Sequence, residues 1–335
     1  MPIRVLQSFP EPTDHTNPYL VLLRRSLEDT QLVEVLPFTW RTALIGRYDV
    51  VHLHWPEALL SASSPLRRVR RELLMAAWTV RLVVTRTPVV RTVHNVGLPQ
   101  GLPRRDTALI RFLYRLTRAA ITLNARTDPG ANIPSAVIPH GDYRPWLEGL
   151  ARTAPVAGRL VYFGQVRRYK GLDSLLPAYA DARRSAPDVS LTIGGRPTSI
   201  EIERDVRAAA ADLPDVRLEL RHLSDAEMTQ LVGEAELVVL PYRFMHNSGS
   251  VLYALSLERP VLVPDNDVNR DLADEAGPGW LYLFAGDLNG QVIIDALSAL
   301  RTSPPAAPPD LSRRAWGAAG AAHARLYRDV TGQTS

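Results

Sequence analysis

Short apolar runs alternate with longer helical stretches along the whole chain, and the alternation starts afresh near residue 159. Residues 49–54 (DVVHLH), 89–94 (VVRTVH), 159–163 (RLVYF) and 237–240 (LVVL) each carry adjacent apolar residues, which point to both faces of a strand. That is the pattern of strands covered on both faces. Helices between such strands imply a parallel sheet with helices on both sides. The first half reads as strands at 2–7, 49–54, 89–94, 119–123 and 136–139, with helices at 19–28, 65–85 and 107–118. The second half reads as strands at 159–163, 189–193, 216–220, 237–240 and 260–263, with helices at 171–185, 200–212, 225–234 and 248–257. A last, Ala-rich helix runs from about 311 to 330. Residues 140–158 fit no period. The expected division is therefore a domain at 1–142, a linker at 143–158, a second domain at 159–310, and a C-terminal helix and tail at 311–335. Two doubly wound α/β domains with a cleft between them would bind ligands beyond the carboxyl ends of their strands.

Composition removes several chemistries. The 335 residues include no cysteine, which excludes disulfides, Cys-ligated zinc, iron–sulfur clusters and a thiol nucleophile. Of the 39 cations, Lys170 is the only lysine. Residues 1–150 carry a net +7 and residues 151–335 a net −3, so the overall +4 hides a basic first half. Such asymmetry points to an anionic partner on that half. No basic groove interleaved with aromatics appears, so nucleic acid is not expected. No targeting segment is visible, and no run of about 18 apolar residues could span a bilayer. The expected location is the cytoplasm, peripherally at the inner membrane face.

The chemistry-bearing residues fall just after strands. FGQVRRYKG follows the strand at 159–163 and opens a helix. Gly164 permits a sharp turn. The helix start offers free N–H groups and a positive dipole end, and Arg167, Arg168 and Lys170 surround it with cations. A compact ammonium approaches a phosphate oxygen where a planar guanidinium does not fit, a physical reason for the sole lysine. The strand at 189–193 ends in Gly194-Gly195. A second cluster follows the strand at 237–240. Its loop carries Tyr242, His246 and Asn247, and Ser248-Gly249-Ser250 starts the next helix. Small residues there let backbone N–H groups reach a phosphate, although Ser248 alone reads equally as an N-cap. Two such helix starts in one domain fit a single nucleotide diphosphate.

Together, these motifs resemble the donor domain of GT-B glycosyltransferases, above all glycosyltransferase family 4 and its relatives. Those carry a strand, then Gly-Arg-Leu-x-x-x-Lys-Gly, then a helix. The matching run here is Gly164-Gln165-Val166-Arg167-Arg168-Tyr169-Lys170-Gly171, with Gln165 where the family has Arg, so that role would pass to Arg167. LTIGG, LSDAEMTQLVGEAELVVLPY, RPVLVPD, DVVHLHW, VVRTVHN and IPHGD extend the likeness over most of the chain. It implies two Rossmann-like domains facing a central cleft, with the C-terminal helix returning toward the first. Retaining members carry Glu-x7-Glu in the second cluster, where this chain has Met245 and Tyr253. PEPTDHTNPYL and HWPE look more like bacterial inverting β-mannosyltransferases that act on polyprenyl-diphosphate-linked glycans.

The resemblance implies a sugar, mannose by the narrower likeness, moved from a GDP- or UDP-sugar to a lipid-linked or glycan acceptor. Neither cofactor nor metal is expected if Arg167, Lys170 and the 248–250 amides clamp the leaving diphosphate. Donor contacts are expected from Gly164, Gln165, Arg167, Lys170, Gly195, Tyr242, His246, Asn247, Ser248, Gly249 and Ser250. An inverting enzyme also needs a base, for which Asp14, His15, Glu57 and His94 are candidates. In the resembling families, a histidine at the place of His94 usually contacts the donor sugar. Glu57 reads equally as a helix cap, and His52 and His54 as core histidines. A retaining hexosyltransferase, an epimerase or phosphorylase of the same fold, and a catalytically silent sugar-nucleotide binder remain open alternatives. Finally, Arg67, Arg68, Arg70 and Arg71, followed by Leu73, Leu74, Met75 and Trp78, read as an interfacial helix on anionic lipid or as a core helix with a solvated basic end.

Overall fold

The computed structural model describes the chain apart from His15, Val96, Pro99, Gln100, Ala131, Phe244 and residues 333–335, together with the side chain of Tyr169. It divides into two compact units, Met1–Gly141 with Arg313–Ser335, and Asp142–Ser312.

The first unit runs β1 (Ile3–Gln7), α1 (Pro18–Asp29), β2 (Val33–Leu36), α2 (Trp40–Ile45), β3 (Val50–Leu53), α3 (Glu57–Leu60), α4 (Pro65–Thr85), β4 (Val89–Val93), α5 (Arg104–Arg115), β5 (Thr117–Thr122) and β6 (Ser135–Val137). All six strands are parallel, in the order β2-β1-β3-β4-β5-β6. The order reverses between β1 and β3, so the loops after those two strands flank the natural ligand crevice. Leu6, Val51, Leu53, Trp78, Val89 and Ile110 form the core beneath it.

The second unit runs β7 (Arg159–Phe163), α6 (Leu172–Ser185), β8 (Ser190–Gly194), α7 (Ile200–Ala210), β9 (Val216–Glu219), α8 (Asp225–Gly233), β10 (Leu237–Val239), α9 (Gly249–Ser256), β11 (Val261–Pro264), α10 (Asp267–Ala276), β12 (Leu281–Phe284) and α11 (Gly290–Thr302). Its parallel order, β12-β11-β10-β7-β8-β9, reverses between β7 and β10. Residues 143–158 hold no helix or strand and pack within this unit, where Ser256 Oγ accepts from the Tyr143 N–H at 2.9 Å. The chain then rejoins the first unit as α12 (Trp316–Thr331), which packs on α1.

Among the described residues of the first unit, His52, His54, His140 and His323 are buried. His52 and His54 are core residues. The His52 Nδ1 lies 2.7 Å from the Tyr327 hydroxyl of α12, and His54 Nε2 donates to Gln7 Oε1 at 3.0 Å. Burial lowers His54 to about 3, and His140 and His323 to about 4. All three are neutral in the folded unit near pH 7, whereas in the unfolded chain they take up protons below about pH 6.5. Their contribution to stability is therefore complete above that value and is lost as pH falls toward 4 and 3. At pH 5 each imidazole costs on the order of 2 kcal/mol. Thermal melts at pH 7.5 and 5 should show a markedly lower midpoint in acid for the first unit. Superimposable melts would refute the assignment.

Candidate functional site

The reversal point of the second sheet gathers the residues expected to hold a diphosphate. The loop after β7 turns at Gly164, forms one 3-10 turn at Arg168–Lys170, and enters α6 through Gly171. Gly171 has φ +74°, and a Cβ there would stand 2.0 Å from the Pro241 carbonyl oxygen after β10. The Lys-Gly pair thus locks the first loop against the second. Gly195 has φ +138°, and a Cβ on it would stand 1.9 Å from the Gly164 carbonyl oxygen, so its role is close backbone packing.

Lys170 Nζ donates to the Tyr242 hydroxyl at 3.2 Å and lies 4.4 Å from the centre of its ring. The same hydroxyl is 3.2 Å from Ser250 Oγ, and burial pushes its pKa up, so it stays neutral. A Cβ on Gly164 would stand 3.2 Å from Ser250 Oγ, 3.5 Å from Lys170 Nζ and 3.7 Å from the Tyr242 oxygen. Gly164, Lys170, Tyr242 and Ser250 therefore converge on one point, bare of side chain at Gly164. Ser248 is the N-cap of α9, accepting from the Val251 N–H at 3.3 Å. The following N–H groups of Gly249 and Ser250 precede the first intrahelical bonds.

The other cations of the motif diverge. Arg168 reaches Asp205 at 3.8 Å, and Arg243 pairs with Asp173. Gln165 and Arg167 are exposed, while His246 and Asn247 are half-buried on the loop before α9. Burial lowers the His246 pKa. Met245 is buried, and its sulfur receives the Asn269 amide at 3.3 Å; the Tyr253 hydroxyl meets Thr229 at 3.0 Å. Where retaining relatives carry glutamates, this chain thus has packed side chains. Asp265-Asn266-Asp267 has Asp-x-Asp spacing, but both carboxylates engage Arg270, at 2.6 and 3.1 Å, and Asn266 caps α10.

Replacing Gly171 with alanine should strain the backbone by roughly 1–3 kcal/mol and push the lysine turn off Pro241. A melt should show the destabilisation; an unchanged midpoint would refute the packing argument.

In the first unit, the ends of β3 and β4 border a cavity of about 480 Å³ lined by Trp55, Glu57, Arg91, His94, Arg111, Tyr114 and Asp128, among others. Trp55 stacks on His94 with ring centres 3.9 Å apart. His94 Nε2 lies 3.1 Å from His54 Nδ1, and burial, with His54 and His140 nearby, holds it well below its ordinary value. It is a neutral, weakly basic imidazole. Glu57 opens α3, and burial raises its carboxyl above the usual range. Tyr114 is pushed up to about 12 by burial and by the Glu57 charge. Arg91 stacks 4.4 Å above the Tyr114 ring and donates to the Pro129 carbonyl at 2.9 Å, while its buried Nε has no hydrogen-bond partner among the described residues. Arg91 and Tyr114 escape the sequence reading. The available signal was a cation inside the otherwise apolar VVRTVH strand. Asp14 is exposed and does not line this cavity, and His15 lies outside the described residues.

Two parallel sheets wound in this way, with a Lys-Gly turn and a small-residue helix start at the reversal of the second, define a GT-B glycosyltransferase. Residues 157–301 match the family described as glycosyl transferases group 1. Over 331 residues the chain is 38% identical to the GDP-mannose:glycolipid 4-beta-D-mannosyltransferase of Xanthomonas campestris pv. campestris, spanning 99% of this chain and 93% of that one. The chain belongs to that family of glycosyltransferases. Solved structures agree in fold. AviGT4, a glycosyltransferase involved in avilamycin A biosynthesis, has TM-score 0.62 at 12% identity, covering 99% of both chains. The catalytic domain of starch synthase IV from Arabidopsis thaliana has TM-score 0.63 at 10% identity, covering 99% of this chain and 100% of that one.

Proposed function

We propose that this glycosyltransferase moves a mannosyl residue from GDP-mannose to a glycolipid hydroxyl with inversion. The observation that carries the donor half is the convergence of Lys170, Tyr242 and Ser250 on Gly164, at the strand-order reversal where α/β sheets take their ligands. Lys170 and the first N–H groups of α9 bind the diphosphate and stabilise the charge that grows on it as the C1–oxygen bond breaks. Glu57 takes the acceptor hydroxyl proton while that oxygen bonds to C1, and GDP departs. The mannosyl, guanine and glycolipid assignments rest on likeness to the Xanthomonas enzyme. Packed Met245 and Tyr253, in place of the retaining pair of carboxylates, favour inversion. Clamping by Lys170 and α9 needs no metal, so transfer should persist in chelator.

A thermal-shift panel of GDP, UDP and ADP tests the nucleotide. A ligand at about 100 times its Kd stabilises by roughly 3 kcal/mol, and GDP should give the largest shift. A larger shift with UDP or ADP would overturn the guanine assignment.

A further inference from the structure

The motif after β7 offers three cations, but its structure brings one of them to the bare backbone of Gly164. Arg167 is exposed, Arg168 turns to Asp205, and Lys170 Nζ lies 3.5 Å from the place a Cβ on Gly164 would take. Arg243, after β10, pairs with Asp173. Hydroxyl groups fill the rest of that point. Ser250 Oγ is the atom nearest to it, at 3.2 Å, and the Tyr242 oxygen stands 3.7 Å away.

The direction of the hydrogen bonds between these three groups follows from their chemistry. An ammonium only donates, so the Tyr242 oxygen accepts from Lys170 Nζ at 3.2 Å. The phenol is buried and keeps its proton. That proton has two acceptors in reach, Ser250 Oγ at 3.2 Å and the Phe163 carbonyl at 3.4 Å. Among the described residues, Tyr242 is the hydrogen-bond partner of the Ser250 hydroxyl. Ser250 is the second residue of α9, so no helical carbonyl lies one turn back to take its proton. When Tyr242 donates into Ser250 Oγ, the serine proton is left for a ligand. An anion at Gly164 selects that arrangement, because it draws the serine proton toward itself. Each bond in such a chain polarises the next.

We propose that Lys170, Tyr242 and Ser250 form a hydrogen-bond relay whose last member, the Ser250 hydroxyl, donates to the leaving diphosphate of the sugar donor. Ser250 is then a catalytic residue, and Tyr242 a positioning residue that acts through Lys170 and Ser250. No proton is transferred along the relay. Its last bond shortens as the C1–oxygen electron pair moves onto the diphosphate, so it stabilises the transition state more than the bound donor. The proposal rests on the donor-site reading and adds to it a donor that Lys170 and the α9 amides do not supply.

Titration with GDP and steady-state kinetics with GDP-mannose test it on the whole protein. Ser250→Ala should weaken GDP by about tenfold or more, the loss expected for one hydrogen bond to a charged group. It should lower kcat by roughly 10²-fold, as for one donor to a developing negative charge, and change KM for the donor far less. A merely structural role would move the melting midpoint instead, which should stay in place. Tyr242→Phe keeps the ring beneath the ammonium and removes only the oxygen, and it should also lower kcat. The double variant should lose less than the product of the two single losses, because links of one chain fail together. If the phenylalanine variant does not fold, Ser250→Ala carries the test alone, since alanine suits the first turn of a helix. Unchanged kcat and GDP affinity in folded Ser250→Ala, or single losses that multiply, would overturn the relay. Lys170→Ala separates the two levels. If it loses GDP affinity and kcat while Ser250→Ala keeps both, the relay alone is wrong; if it keeps both, the donor site itself is misplaced.

Discussion

Lys170→Ala should abolish measurable transfer while leaving the protein folded. Removing one preorganised donor to a developing negative charge costs about 10²–10³ in kcat, and Lys170 is the cation at the Gly164–Tyr242–Ser250 point. Lys170 is half-buried on the turn before α6 and lies outside the buried core, so the melting midpoint should move little. GDP should bind more weakly. Lys170→Arg should fail to restore activity. The ammonium lies over the Tyr242 ring and beside the bare Gly164 backbone, and a planar guanidinium presents a wider, directional fork in that space. A variant with unchanged kcat and unchanged GDP affinity would remove the donor site from this turn.

Glu57→Gln should lower kcat by roughly 10²–10⁴ with little change in KM, the range expected for loss of a general base. The sign of two further effects follows from its raised pKa. The base acts ionised, so activity should fall as pH drops through that raised value, above the range of an ordinary carboxylate. In the glutamine variant this acidic limb should vanish from the residual activity. Because the raised value means that ionised Glu57 opposes folding near pH 7, the variant should be as stable as the parent or more so. A destabilised variant with an unchanged pH profile would make Glu57 a structural helix-start residue.

The central strands of both sheets were legible because they are buried on both faces and therefore carry adjacent apolar residues, such as Val50-Val51 and Val89-Val90, rather than an alternation. β3 and β10 are buried throughout. The edge strands were not. β2 alternates as VEVL, and β12 is mostly half-buried, so neither is fully covered on both faces. The helices α2 and α3 are too short for a period to emerge, and the sequence pattern singles out neither α10 nor α11. The final helix starts at Trp316 rather than near 311, because a 3-10 turn at Ser312–Arg314 comes first.

The candidate site was legible where residues lie immediately beyond a strand, as Lys170 and Tyr242 do. The contact between them was not, since it depends on which two strands adjoin at the reversal. The cavity beside Glu57 was less accessible still. Its Arg91–Tyr114 stack joins a strand to a helix, and nothing in local spacing announces such a pair. Helix α4 reads in the sequence either as an interfacial helix or as a core helix with a solvated basic end, and Met75 and Trp78 are buried, as the second reading has it. An apolar stretch with apolar positions on two opposite sides does not say which side the fold will cover, and Trp78 was taken by the core.

The anomeric configuration of the product tests the account most directly. Incubated with GDP-mannose, whose mannose is α-linked to the diphosphate, and a glycolipid acceptor, the enzyme should give a product whose one-bond C1–H1 coupling in NMR reports a β-mannoside. An α-mannoside, or no transfer from GDP-mannose with ready transfer from another nucleotide sugar, would contradict it.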